Sequence, residues 1–221
     1  MEITVIGATG GTGRQVVAQA LTAGHRVTAV VRDPAKLPSF SRASVPAGGA
    51  APAGELTVVT ADVMKVDDLR PAVRGRNAVI TTLGPGSFSP EPVVTPALEA
   101  LVSAMWAENV SRVLLVSNSG MHSKGDPVVL RAVVKPLLQR LLRHHYADAM
   151  RAEELLTSTG LEWTIARPPR LTNGPHRGTY RTDPDGNVRW GNTISRADLA
   201  DFLLRAAPDP ATIHRSISIG Y

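Results

Sequence analysis

Three glycines, Gly7, Gly10 and Gly13, stand at even spacing in "TVIGATGGTGRQVVAQAL" (residues 4–21), between an apolar run and a helix-like stretch. This arrangement suits phosphate binding. Gly7 permits a tight turn where a Cβ would obstruct. Gly10 lets backbone approach a diphosphate, and Gly13 lets the new helix pack close to the strand. The helix N-terminus, Gly11 to Arg14, presents unpaired N–H groups and a positive dipole end to an anion. Thr9 and Thr12 add hydroxyl donors. A glycine triplet alone is weak evidence; its place after an N-terminal strand and before a helix makes it far stronger.

A second signal lies in "VVRDPAKL" (30–37). In a dinucleotide fold this point faces the adenosine ribose. An acidic residue there binds the free 2′-hydroxyl of NAD, whereas arginine accommodates the 2′-phosphate of NADP. Arg32 comes first and Lys36 one turn later, so the expected cofactor is NADP(H). Asp33 is read as the cap of the next turn, with Pro34 at its first position. Further along, Asp62 and Val63 follow a third apolar run, placed to meet the adenine amino group and ring. Thr82, Leu83, Gly84 and Gly86 end a fourth, placed to line the pyrophosphate and the nicotinamide ribose. His122, His144, His145 and His176 are acid/base candidates. None has metal-ligand spacing, so no metal is expected.

These residues need a frame. Short runs rich in Val, Ile and Thr recur at Ile3–Ile6, Val27–Val31, Leu56–Val59, Ala78–Thr82, Val113–Val116 and Trp163–Ala166. Apart from their threonines they are apolar, as in strands buried on both faces of a parallel sheet. Helical patterns at Gly13–Ala23, Val66–Val73, Val93–Glu108 and Ala147–Thr159 separate them. The alternation predicts an α/β fold with a doubly wound parallel sheet. A capped helix is expected after Ser195, with Leu199, Phe202 and Leu203 inward. Ser39–Gly54, rich in Pro, Gly, Ala and Ser, reads as a surface loop. Gly125–His145 is apolar at helical spacing but carries Pro136, which should break or kink it.

Composition narrows the function classes. The 221 residues contain no cysteine, which removes disulfides and thiolate metal sites and fits a cytoplasmic location. No leader pattern or long apolar span is seen, so no membrane association is expected. The net charge of +5 comes from scattered basic residues. No nucleic-acid signature accompanies it, and a phosphorylated cofactor accounts for it more economically.

The segments "GATGGTGRQVV", "VTAVVRDPAKLP", "ADVMKVDDLRPAVRGRNAVITTLG", "SRVLLVSNSG", "AEELLTSTGLEWTIARPPRL" and "TISRADLADFLLRAAPDP" together resemble the atypical short-chain dehydrogenase/reductases. The resemblance is to the NAD(P)H-binding group holding NmrA-like proteins and biliverdin IXβ reductase/flavin reductase, and it covers nearly the whole chain. It implies one Rossmann domain, 1–221, in which 168–195 form a small substrate-binding part. It also implies a cytoplasmic NADP(H)-dependent reductase acting on a small molecule, as a monomer or homodimer.

In that family a serine after the fifth strand orients the substrate, and a Tyr-x-x-x-Lys pair on the next helix supplies the proton. Here the pair falls on His145 and Ala149, with Tyr146 one residue off. Ser117 and Asn118 are therefore expected at the nicotinamide–substrate junction, with His145 or Tyr146 as proton donor. Pro168 passes the nicotinamide, and His122 and Arg170 approach the substrate. Members lacking the pair reduce conjugated acceptors, which directs the expectation to flavins, quinones, enones or polyketide-like carbonyls. A non-catalytic NmrA-like dinucleotide sensor and an epimerase or dehydratase of the same fold are the alternatives.

Overall fold

The computed structural model describes residues 1–40, 54–84, 91–122, 124, 143–184 and 186–221, with backbone only for 143–145. Most of the Ser39–Gly54 loop, Gly86 and most of the apolar Gly125–His145 stretch lie outside the described residues.

The six expected strands form as β1 (Glu2–Ile6), β2 (Arg26–Val31), β3 (Glu55–Thr60), β4 (Ala78–Thr81), β5 (Arg112–Val116) and β6 (Glu162–Arg167). Between them lie α1 (Gly11–Thr22), α2 (Val66–Val73), α3 (Val94–Ala107) and α4 (Arg143–Ser158). Short strands β7 (Arg170–Thr172), β8 (Arg181–Asp183) and β9 (Thr193–Ser195) follow, then α5 (Arg196–Ala206) and β10 (Arg215–Gly220). The sheet runs β3-β2-β1-β4-β5-β6-β10-β8. Every pairing in it is parallel except that of β8 with β10. The strand order reverses between β1 and β4, and ligands of open α/β sheets bind at such a switch point.

Alternation along β1 feeds two cores, because successive strand side chains point to opposite faces. Ile3 and Val5 pack with Val16, Val17 and Ala20 of α1 and with Leu199, Phe202 and Leu203 of α5. Ile6 packs with Leu69, Leu98, Leu101, Met105 and Leu156 on the other face. Thr4, on that second face, is buried and donates its hydroxyl to the Ala72 carbonyl. Ser195 caps α5 as expected, accepting from the Asp198 amide at 3.0 Å.

Two expectations need correction. β3 is not buried on both faces; it is an edge strand among the described residues, and Val58 is exposed. Its Val/Thr composition reflects strand propensity without burial. β10 was not anticipated. Its "RSISIG" pattern alternates serine with isoleucine, so a search for wholly apolar runs passes over it, yet it is an internal strand beside β6.

The lower end of the sheet is locked by Arg112. Its guanidinium is buried and donates to the carbonyls of Ala206, Ala207 and Glu162 and to the Thr212 hydroxyl. The first two are carbonyls at the C-terminal end of α5, so one side chain ties that helix to β5 and β6. Arg112→Met keeps much of the volume and removes all four of these hydrogen bonds. It should lower stability by about 2–4 kcal/mol, measured by urea unfolding.

Candidate functional site

The site is assembled at the C-terminal ends of β1, β2, β4, β5 and β6. Gly7 turns the chain out of β1 at φ +81°, a left-handed value that favours glycine. A Cβ on it would stand 2.9 Å from Thr82 Oγ1 and 3.2 Å from the Thr82 carbonyl carbon. Thr82 binds this end of β1 directly, donating its amide to the Ile6 carbonyl at 2.9 Å. The constraint on Gly13 is tighter, since a Cβ there would lie 2.2 Å from the Gly7 oxygen. Helix α1 can start where it does only because backbone meets backbone. Gly10 caps the helix without a side-chain bond, and no acidic residue occupies the first turn. Gly11 is exposed, Thr9 half-buried and Thr12 buried. The N–H groups of that turn thus meet no capping side chain that would compete with an anion.

At the adenosine end, Arg32 follows β2 and is exposed, with no ion pair among the described residues. Asp33 caps the next turn as anticipated, accepting from the Ala35 amide at 3.0 Å. Lys36 lies 3.7 Å from that same carboxylate, so part of its charge is answered locally. Arg14 was read only through its backbone. Its guanidinium crosses from α1 to donate to the Lys36 carbonyl at 3.1 Å, bringing a third cation to this corner. Asp62 spends Oδ1 on the Met64 amide, while Val63 is buried in the core. Leu83 is half-buried and Gly84 exposed beyond β4.

At the other end, the loops after β5 and β6 are stitched together. Ser117 donates its amide to the Ala166 carbonyl at 2.8 Å and Ser119 to that of Pro168 at 2.9 Å. A Cβ on Gly120 would stand 2.6 Å from the Tyr146 hydroxyl and 3.3 Å from Asn118 Oδ1. The absent side chain thus lets these two groups converge from α4 and the β5 loop. Asn118 Oδ1 is buried without a hydrogen-bond partner among the described residues. Burial pushes the Tyr146 hydroxyl above its ordinary pKa.

Beneath them lies a buried carboxylate that sequence reasoning missed. Glu153 is one heptad beyond Tyr146 on α4, hence on the same face. It receives Arg167 Nε at 3.2 Å and the Arg167 terminal nitrogen, and His122 Nε2 lies 3.3 Å away. Burial acts to raise its pKa, but His122 and the Arg167 guanidinium outweigh it and hold the group below the usual range. The same helix carries Asp148, also buried, which accepts from the amides of Val93, Val94 and Thr95 and so caps α3.

The structure therefore brings Ser117, Asn118, His122, Tyr146 and Pro168 together. Arg170 is exposed on β7 without an ion pair among the described residues. His145 lies in the first turn of α4, and its side chain, like that of His144, falls outside the described residues. His176 lies elsewhere, 3.4 Å from Asp201 of α5. The part spanning 168–195 does not stand alone. β7 pairs with β9, and Asp198 accepts from the Arg177 and Gly178 amides and from Tyr221. Among the described residues no cluster has the make-up of a metal site, and no helix is long and apolar enough to cross a membrane.

A glycine-lined helix start at the switch point of a parallel sheet, flanked by basic residues, defines a Rossmann protein that binds a nicotinamide dinucleotide. The chain belongs to the NAD(P)H-binding family, whose profile matches residues 7–210. It is 30% identical over 93% of its length to an uncharacterized chloroplastic protein of Arabidopsis thaliana, covering 71% of that protein. It is 26% identical to the chloroplastic protein TIC 62 of the same plant, spanning 34% of that longer chain. A short-chain dehydrogenase/reductase of Veillonella parvula solved in complex with NADP superposes with a TM-score of 0.76 at 22% identity, over 100% of this chain and 94% of that one. ChuY, an anaerobillin reductase of Escherichia coli, superposes with a TM-score of 0.75 at 21% identity, over 99% and 96%.

Glu153 gives the site a pH signature. A carboxylate whose folded pKa lies below its unfolded value contributes stability that is fully present above the unfolded pKa. That stability is lost as pH falls through the folded pKa. Glu153→Gln should be less stable than the parent by about 3 kcal/mol at pH 7. The gap should narrow steadily below pH 4.5, the ordinary value for this group, in thermal unfolding followed by circular dichroism.

Proposed function

We propose that the protein is an NADP(H)-dependent oxidoreductase that passes hydride from nicotinamide C4 to a conjugated small-molecule acceptor. The observation that carries this reading is the composition of the junction. Ala149 stands where the family's relay lysine belongs, while Tyr146, whose hydroxyl burial makes less acidic, and Asn118 converge over Gly120. A tyrosine without a neighbouring cation is a poor proton donor to an isolated alkoxide. A conjugated acceptor places the developing charge on a delocalised system and needs less from its acid. The anaerobillin reductase among the structural neighbours supports such a substrate class.

NADPH bound there would supply the hydride and its two electrons to a carbon of the acceptor. The conjugated heteroatom takes a proton from Tyr146 or from water. The chain's own part is positional. The glycine turn and α1 would hold the pyrophosphate, Ser117 and Pro168 would line the nicotinamide end, and Asn118 and Tyr146 would offer polar groups to the acceptor. The preference for NADP(H) rests on Arg32, which is exposed and unpaired at the end of β2, with Arg14 and Lys36 beside it.

NADPH oxidation across flavins, quinones and enones tests this. Turnover of at least one conjugated acceptor is expected, with Tyr146→Phe lowering kcat about tenfold at unchanged NADPH affinity. Tight NADPH binding without turnover of any acceptor would instead identify a dinucleotide sensor. Arg32→Ser should weaken NADPH about tenfold and leave NADH within twofold, measured by fluorescence titration.

A further inference from the structure

Helix α5 begins beside the glycine turn, and its first residue is an arginine. The Arg196 side chain lies directly over Gly11, so that a Cβ on Gly11 would stand 2.7 Å from both Cδ and Nε of the arginine. Gly11 is the first residue of α1 and is exposed. Its lack of a side chain leaves the slot that the arginine fills. Two contacts hold the arrangement. The Gln19 amide on α1 donates to the Ala197 carbonyl at 2.8 Å, fixing the start of α5 against α1. Asn173 Oδ1 accepts from one terminal guanidinium nitrogen at 2.7 Å.

The remaining terminal nitrogen has no partner among the described residues, and no carboxylate pairs with this half-buried group. A cation is thereby held at the positive end of α1, an unfavourable placement that an anion between them would reverse. Several other arginines are answered by carboxylates, as Arg70 and Arg74 are by Glu108 and Arg167 by Glu153. Arg196 is aimed by a neutral amide and left available.

We propose that Arg196 is a cofactor-binding residue that closes the pyrophosphate cradle from the C-terminal half of the chain. The inference rests on the dinucleotide reading above. The backbone N–H groups of the first turn of α1 would meet the diphosphate from one side and the guanidinium from another. The pyrophosphate is common to NADPH and NADH, so this contact contributes to both, in contrast to Arg32, which meets only the 2′-phosphate.

The test is fluorescence titration of NADPH and NADH, and competition by ADP-ribose, which carries the diphosphate without nicotinamide. The parent protein is compared with Arg196→Met, Arg196→Lys and Gly11→Ala, each checked for its melting temperature. Arg196→Met is expected to weaken all three ligands about tenfold, and Arg196→Lys to recover part of the loss. Gly11→Ala keeps the charge but displaces the arginine, so it should weaken them as well, which covers the case of an unfolded Arg196→Met. Affinities within twofold of the parent in a folded Arg196→Met overturn the proposal while leaving the dinucleotide reading intact. A loss confined to NADPH also overturns it, by assigning the arginine to the 2′-phosphate. A parent protein that binds neither dinucleotide overturns the cofactor reading and this assignment with it.

Discussion

The approach of Gly13 to the Gly7 carbonyl sets the position of everything around the dinucleotide. A helix that begins against the last turn of its preceding strand directs its N-terminal amides at the space above the sheet. Any side chain at position 13 would push α1 outward and carry its amides with it. The consequences extend beyond the turn. α1 is the surface on which α5 packs, and α5 in turn anchors the 168–195 part through Asp198 and the sheet's lower end through Arg112. One backbone contact near the N-terminus thus fixes the geometry of segments some two hundred residues away.

Helix α4 governs the opposite end of the site through two buried carboxylates. Asp148 takes three amides at the start of α3, and Glu153 takes Arg167 from the end of β6 and His122 from the loop after β5. Each is a charge that burial alone would disfavour and that its hydrogen bonds stabilise. The pair makes α4 a rigid support, and Tyr146 reaches the β5 loop from that support. Local chemistry at Gly120, which admits both the tyrosine and Asn118, then shapes the junction.

Much of the fold was legible because its signals are local. The run at Val113–Val116 is apolar throughout and that at Ile3–Ile6 is broken only by Thr4, as suits strands covered on both faces. The helix after Ser195 announces itself by a serine cap and an inward stripe of Leu199, Phe202 and Leu203. The glycine turn and Arg32 could likewise be read from type and spacing. What escaped has a different character. Glu153 sits in "AEELL" like any helical surface glutamate, and nothing in the string says that Arg167 and His122 converge on it. Arg14 resembles a solvent-facing residue until its reach to the Lys36 carbonyl is seen. β3, read as buried, proved to be an edge, since strand order is not written in strand composition.

By itself the sequence determined the α/β class, the phosphate-binding turn and the basic residue at the end of β2. Each follows from backbone sterics or burial over a few neighbouring positions. Only the tertiary structure decided which distant groups share a site: Tyr146 with Asn118, Glu153 with Arg167 and His122, and Arg196 with Gly11. These partners are separated by tens to nearly two hundred residues. They meet because sheet order and helix packing bring them there, and chain spacing carries no record of that.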